Sequence, residues 1–136
     1  MPITLHVRDK IETLPQSEPL CVEPGTTLRS VAHALWAEAV GALVVGDPHH
    51  PVGVISEHDV VAELGQGADP NAMTAEEAMT KYVISARLGD RLFDAASEML
   101  DDGMRHLPVV DDKGNVVGMI SARDLLRPLL LDALGG

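Results

Sequence analysis

One seven-residue phrase occurs twice in this chain. Gly53-Val54-Ile55-Ser56-Glu57-His58-Asp59 returns 65 positions later as Gly118-Met119-Ile120-Ser121-Ala122-Arg123-Asp124. A chain that repeats itself at this spacing is constrained to fold as two like units on one plan. The repeat reaches upstream without a gap, Leu28 to Val45 aligning on Leu92 to Val109 at an offset of 64. Leu28/Leu92, Val31/Ala95, Ala32/Ala96, Leu35/Met99 and Leu43/Leu107 therefore correspond. The change of offset means that Asp111-Asp112-Lys113-Gly114-Asn115 holds one residue more than its counterpart, a change that surface loops tolerate.

Each copy shows the same order of elements. Leu20-Cys21-Val22 is a strand candidate, and a helix is predicted from about Thr27 to Val40. Its apolar positions Leu28, Val31, Ala32, Leu35, Trp36 and Ala39 follow a period of about 3.6 residues. Ala42 to Val45 and Val52 to Ile55 read as strands around a turn at 46–51, and a helix from Ser56 to about Leu64 closes the copy. The second copy predicts a strand at Val83 to Ser85, a helix from Asp90 to Asp102, strands at His106 to Val110 and Val116 to Ile120, and a helix from Ser121. Gly103 is placed for a left-handed helix stop. Pro128 should end or kink the last helix, and Leu129-Leu130-Leu131 with Leu134 are apolar enough to pack on the body or on another subunit. Between the copies, Gly65 to Asn71 has the composition of a linker, and Thr74-Ala75-Glu76-Glu77 has capping-box spacing. The expected division is residues 1–68 for a lead-in and the first copy, and 69–136 for the linker, a second lead-in and the second copy.

At 136 residues the chain can bury a substantial core, but aromatics are only 2% of it, so that core must be aliphatic. A net charge of −11 argues against general binding to nucleic acid or an anionic membrane, and leaves room for one small anion at a local arginine cluster. The single cysteine, Cys21, excludes an intrachain disulfide and is expected to be a small apolar strand residue. The N-terminus lacks a basic-then-apolar signal, and no apolar run reaches about 18 residues. A cytoplasmic protein is expected.

The β-α-β-β-α order, twice, resembles the CBS domain pair (cystathionine-β-synthase domains, the Bateman module). The resemblance is carried most strongly by Arg105-His106-Leu107-Pro108-Val109-Val110-Asp111 followed by Gly118 to Asp124, and more weakly by Gly41-Ala42-Leu43-Val44-Val45 followed by Gly53 to Asp59. Val7-Arg8-Asp9 and Ala78-Met79-Thr80 resemble the family's short lead-in helix. It implies an α+β fold, a tandem repeat of two such domains packed about a pseudo-twofold axis, with ligand clefts between them. It also implies roles: Asp59 and Asp124 on ribose hydroxyls, Ser56 and Ser121 on ribose or phosphate, and apolar walls around an adenine base. In this family the base pocket often borrows the first strand of the partner repeat. That would bring Leu20, Cys21 and Val22 to the Asp124 site, and Ile84, Ser85 and Ala86 to the Asp59 site.

The residues support such chemistry on their own terms. A helix starting at Ser56 or Ser121 has unpaired, positively polarised amides in its first turn. A carboxylate three residues on is an acceptor with room for two hydroxyl donors, as a ribose diol offers. The competing reading is that Ser-x-x-Asp merely caps a helix. The two sites are unequal. The second copy offers Arg105, His106, Pro108 and Arg123, whereas Gly41, Ala42 and His58 stand opposite Arg105, His106 and Arg123. Arginine gives a fixed fork for phosphate, so the Ser121/Asp124 site should prefer a phosphorylated ligand, and the Ser56/Asp59 site is expected to take a less charged adenosyl ligand or to stay empty. AMP, ADP, ATP and S-adenosylmethionine are the candidate ligands, with no required cofactor and no metal. His49 and His50 near Asp47 fall short of a ligand set. No nucleophile-base pair or Walker loop suggests catalysis. The expected role is a regulatory sensor, a homodimer acting on an unidentified effector protein. The alternative is a ligand-free assembly module.

Overall fold

The computed structural model describes residues 10–11, 19–81 and 85–126. The elements are β1 (Cys21–Val22), α1 (Leu28–Ala37), β2 (Ala42–Asp47), β3 (His50–Ser56), α2 (Glu57–Gly65), α3 (Ala75–Ala78), β4 (Ala86–Arg87), α4 (Leu92–Asp102), β5 (His106–Val110) and β6 (Val116–Ser121), with residues 122–126 continuing as helix. This α+β chain carries the β-α-β-β-α order twice. The readings at Val7-Arg8-Asp9, Val83, Ile84, Pro128, Leu129-Leu130-Leu131 and Leu134 lie outside the described residues.

Each copy forms a three-stranded sheet in which the first strand runs parallel to the second and the second antiparallel to the third. The register repeats with the sequence. Val22 lies opposite Val45 and Ala86 opposite Val109; Ala42 lies opposite Ser56 and His106 opposite Ser121. The burial pattern repeats as well. Leu28/Leu92, Val31/Ala95, Leu35/Met99, Leu43/Leu107, Ile55/Ile120 and Val60/Leu125 are buried in both copies and form an aliphatic core in each.

Of the strand expected at Val83 to Ser85, only Ser85 is among the described residues. Ser85 is not in the strand, and pairing begins at Ala86. The cause is Pro108. Its counterpart Val44 donates its amide to the Leu20 carbonyl at 2.9 Å and so admits Cys21 to the ladder. Pro108 has no N–H to donate, so pairing in the second copy starts one residue later.

The compact units also divide the chain elsewhere than at residue 68. One holds residues 19–81; the other holds 85–126 with Lys10 and Ile11. The linker-like segment and the capped segment after it are stitched to the first copy by their backbone. Leu28 N bonds Met73 O (2.9 Å), Arg29 N bonds Pro70 O (2.9 Å), Ala75 N bonds Thr26 O (2.7 Å) and Glu76 N bonds Pro24 O (3.0 Å). Thr74 caps α3 in a full capping box with Glu77. Beyond α3, Thr80 exchanges two backbone bonds with Val54, at 3.2 and 2.9 Å. In the other unit, Ile11 N bonds Asp90 O at 2.8 Å.

Gly53, which opens the repeated phrase, is needed for this stitching. A Cβ there would lie 2.7 Å from the Thr80 carbonyl oxygen and 2.5 Å from the Met79 sulfur. Gly53→Ala should push the 79–80 segment off β3 and cost about 1–3 kcal/mol, as overpacking does, measured by urea denaturation.

α1 ends earlier than expected, at Ala37 rather than Val40. Val40 N bonds Leu35 O (3.1 Å) and Ala39 N bonds Trp36 O (3.2 Å), the double closure of a left-handed helix stop. Ala39 takes φ 54° there, while its counterpart Gly103 takes φ 65° with Met104 N on Met99 O at 3.0 Å. The left-handed conformation is unfavourable for alanine and open to glycine. Ala39→Gly should stabilise the protein by about 0.5–1 kcal/mol and Gly103→Ala should destabilise it by about 1 kcal/mol. Opposite signs in thermal and urea melts are the expected outcome.

Candidate functional site

Both Ser-x-x-Asp segments fall where the last strand of a hairpin turns into a helix. Ser56 is the N-cap of α2: its hydroxyl accepts from Asp59 N (3.3 Å), and Asp59 Oδ2 accepts from Ser56 N (2.8 Å) and from the Ser56 hydroxyl (3.0 Å). Ser121 and Asp124 repeat the pair, with Asp124 Oδ2 accepting from Ser121 N at 2.8 Å and Ser121 Oγ accepting from Asp124 N at 3.2 Å. Capping is therefore present at both sites. It leaves Oδ1 of each aspartate without a partner among the described residues, so each carboxylate has one free oxygen rather than two. A single carboxylate oxygen has two lone pairs and still serves a vicinal diol.

Capping alone does not single out a site, since Thr74 and Glu77 make the same box. What sets these two apart is their position against the hairpin. The first helical amide bonds back to the residue preceding the hairpin: Glu57 N to Gly41 O at 3.0 Å, and Ala122 N to Arg105 O at 2.7 Å. The next amide, of His58 or Arg123, has no acceptor among the described residues. A helix mouth with an open amide, a free carboxylate oxygen and the start of a hairpin is thus built in each copy from its own residues.

The same geometry brings different charges together. In the second copy Arg105 is tied to the helix start through its carbonyl, His106 lies across from Ser121, and Arg123 is the second helical residue. Arg105 and Arg123 are exposed, and neither makes an ion pair among the described residues. In the first copy Gly41 and Ala42 hold the corresponding places. Glu57, whose counterpart is Ala122, adds a second carboxylate to the first turn of α2. Glu57 is absent from the residues expected at this site, although the contrast with Ala122 lies inside the repeated phrase.

Other expected residues are placed less directly. Pro108 is fully buried in the central strand β5, part of the wall rather than the mouth. Cys21 and Val22 pair with β2 at Val44 and Val45, two and three residues further along that strand than Ala42, and β2 separates them from Ser56. Ser85 is half-buried beside β4, and Ile84 lies outside the described residues. His58 is exposed. Trp36, expected in the core or at an interface, is 78% exposed and not in the core. Among the described residues no three metal-ligating side chains converge, and no helix is long and apolar enough to cross a membrane.

A family model described as the CBS domain matches residues 7–66 and again 75–131. An uncharacterized protein of Methanopyrus kandleri is 31% identical over 106 residues, covering 76% of this chain and 54% of that protein. An L-aspartate semialdehyde sulfurtransferase of Methanocaldococcus jannaschii is 29% identical over 127 residues, 93% of this chain but 23% of the enzyme. The chain thus spans about half of the first relative and under a quarter of the second. A solved CBS domain protein from Pyrobaculum aerophilum, complexed with AMP, matches with a TM-score of 0.83 at 29% identity, over 94% of this chain and 100% of that one. A CBS domain pair solved with 5′-methylthioadenosine and S-adenosyl-L-methionine matches with a TM-score of 0.80 at 27% identity, over 93% and 98% of the two chains.

Cys21 is exposed as a residue, yet burial of its thiol and then the charge of Asp47 push its pKa above the ordinary value. The thiolate is the reactive form, so a raised pKa makes the thiol sluggish at neutral pH. Iodoacetamide should alkylate Cys21 more slowly than free cysteine at pH 7, with the rate rising only in the alkaline range. Asp47→Asn should shift that pH profile towards lower pH.

Proposed function

As the chain belongs to the CBS-domain family, we propose that it is a regulatory module that binds an adenosyl nucleotide and passes the signal to a partner. One observation carries this reading. At the Ser121/Asp124 mouth, the backbone brings together two exposed arginines, Arg105 and Arg123, that make no ion pair among the described residues, with a helical amide and a carboxylate oxygen that have no partner among them either. Asp124 Oδ1 suits the ribose hydroxyls. Arg105, Arg123 and the amide of residue 123 suit a phosphate, which gains from both charge and the helix terminus. His106, opposite Ser121, stands at the rim. Ser56 and Asp59 offer the sugar-binding half of this set without the cations. AMP, ADP, ATP and S-adenosylmethionine remain the candidate ligands, and the AMP and S-adenosylmethionine complexes of the matching structures support the class. The role in this reading is regulatory rather than catalytic.

A pattern of exposed side chains supports self-association alongside binding. Trp36 and its counterpart Leu100 are 78% and 83% exposed, and Val61 and its counterpart Leu126 are 67% and 54% exposed. Large apolar side chains left outside at the same positions of both copies suit a repeated interface better than chance exposure. A homodimer would cover them. It would also give a ligand something to bias, since a ligand shifts an equilibrium only by its differential affinity for the two states. The effector would be a separate protein or a further segment of a longer chain.

Titration calorimetry with AMP and adenosine tests the site. Arg105→Ala and Arg123→Ala should each lower AMP affinity by roughly tenfold, about 1.4 kcal/mol, and leave adenosine within about twofold. The AMP loss should shrink as salt is raised, because both groups are exposed. AMP affinity unchanged in both variants would refute the phosphate assignment. No thermal stabilisation by any adenosyl compound at millimolar concentration would instead leave the assembly module as the reading.

A further inference from the structure

We infer that Glu57 is a specificity-determining residue that makes the Ser56/Asp59 mouth refuse phosphorylated ligands, so that the two mouths of one chain sort adenosyl compounds by charge. This rests on the reading that both mouths receive such ligands.

The two mouths form a controlled comparison, because the backbone holds them alike. In each, a serine caps the helix, an aspartate closes the cap with Oδ2, and the first helical amide bonds the residue before the hairpin. Ala42/Ser56 and His106/Ser121 are equivalent pairs across the hairpin. With geometry matched, charge is the variable. The Ser121 mouth has one carboxylate and two guanidinium groups; the Ser56 mouth has two carboxylates, of Glu57 and Asp59, and no cation in the matching places.

The nearby cations of that unit do not repair the deficit. Arg29 is held elsewhere, its Nε on Asn71 Oδ1 at 2.6 Å. Lys81 follows Thr80, which pairs with Val54, so the antiparallel register carries Lys81 away from Ser56. His58 is exposed at the second helical position and stands where the other mouth has Arg123. An acid at the first helical position is favourable for α2 itself, since it complements the positive end of the helix. That same complementation removes the attraction which the helix terminus would extend to a phosphate. A neutral ribose diol is indifferent to Glu57, whereas a phosphate meets two like charges within the first turn. The Ser56 mouth is therefore suited to uncharged or cationic adenosyl compounds.

The experiment uses the full chain at low salt, titrated with AMP and with adenosine, and the conservative variant Glu57→Gln. The variant keeps the side-chain length and the helix while removing the charge. Wild type should bind one AMP per chain tightly, with any second AMP at least tenfold weaker. Glu57→Gln should strengthen the second AMP by about tenfold and leave adenosine within about twofold. Arg105→Ala with Arg123→Ala, added to Glu57→Gln, should abolish the tight AMP event and keep the gained one, which assigns the gain to the first mouth. Two AMP molecules bound to wild type within threefold of each other would overturn the inference while leaving the sensor reading intact. So would a second AMP site that Glu57→Gln does not move. If neither AMP nor adenosine binds wild type at all, the sensor reading falls and this inference with it.

Discussion

The candidate sites depend on one backbone hydrogen bond, made once in each copy. The first helical amide after the repeated Ser reaches back to the carbonyl that precedes the hairpin, Gly41 in one copy and Arg105 in the other. Without that bond the helix could leave the strand at a range of angles. With it, the residue before the hairpin, the residue after the cap and the capping aspartate meet at one place. Backbone groups make this bond, so its geometry does not depend on which side chain stands at position 41 or 105. The scaffold is thus free to carry glycine in one copy and arginine in the other. Duplication of fold and divergence of charge coexist because they rest on different parts of the chain.

The interior follows the same logic with the opposite outcome. Where side chains must fill a fixed volume, the copies have stayed alike in kind: leucine on leucine at 28/92 and 43/107, isoleucine on isoleucine at 55/120. Where volume differs, as at Val31/Ala95 or Leu35/Met99, both partners remain buried and apolar, which a core tolerates when neighbours compensate. The surface has kept an apolar character at Trp36/Leu100 and Val61/Leu126, against the usual drift of exposed positions to polar residues. Matched exposure at these two pairs is what the proposed self-association would use.

Much of this was legible in the sequence because hydrophobic period and repeat offset reinforce each other. The second-copy helix, expected from Asp90 and found from Leu92, its stop at Gly103, the strand at 106–110 and the caps at Ser56, Thr74 and Ser121 all come from local chemistry that short windows contain. Two of the differences share a cause, bonds between distant segments, and the third is local. The linker-like stretch from Gly65 to Asn71 has the composition of free chain, yet its Pro70 carbonyl accepts from Arg29 N and its Asn71 Oδ1 from Arg29 Nε, pairings that no window spans. The late start of β4 comes from a missing donor on Pro108, a residue in another strand. Ala39 continues the apolar period of α1 and so reads as helix, but the chain has already turned into the left-handed conformation there. Among the candidate residues, Ser56, Asp59, Ser121 and Asp124 stand out in the sequence because they match between copies. Glu57 was missed because it does not.

Those two kinds of residue call for different experiments. Ser56, Asp59, Ser121 and Asp124 hold helix starts together, and replacing a cap costs about 0.5–2 kcal/mol of stability whatever the site binds. Loss of ligand in such a variant would not separate a missing contact from a frayed helix. Arg105 and Arg123 bear no hydrogen bond from their side chains to the described residues, and Glu57 bears none either. Their removal perturbs the electrostatics of a mouth while leaving its backbone in place. The residues that differ between the copies therefore report on function more cleanly than the residues that match. The repeat serves best as a built-in control, with one copy supplying the reference geometry for the charges of the other.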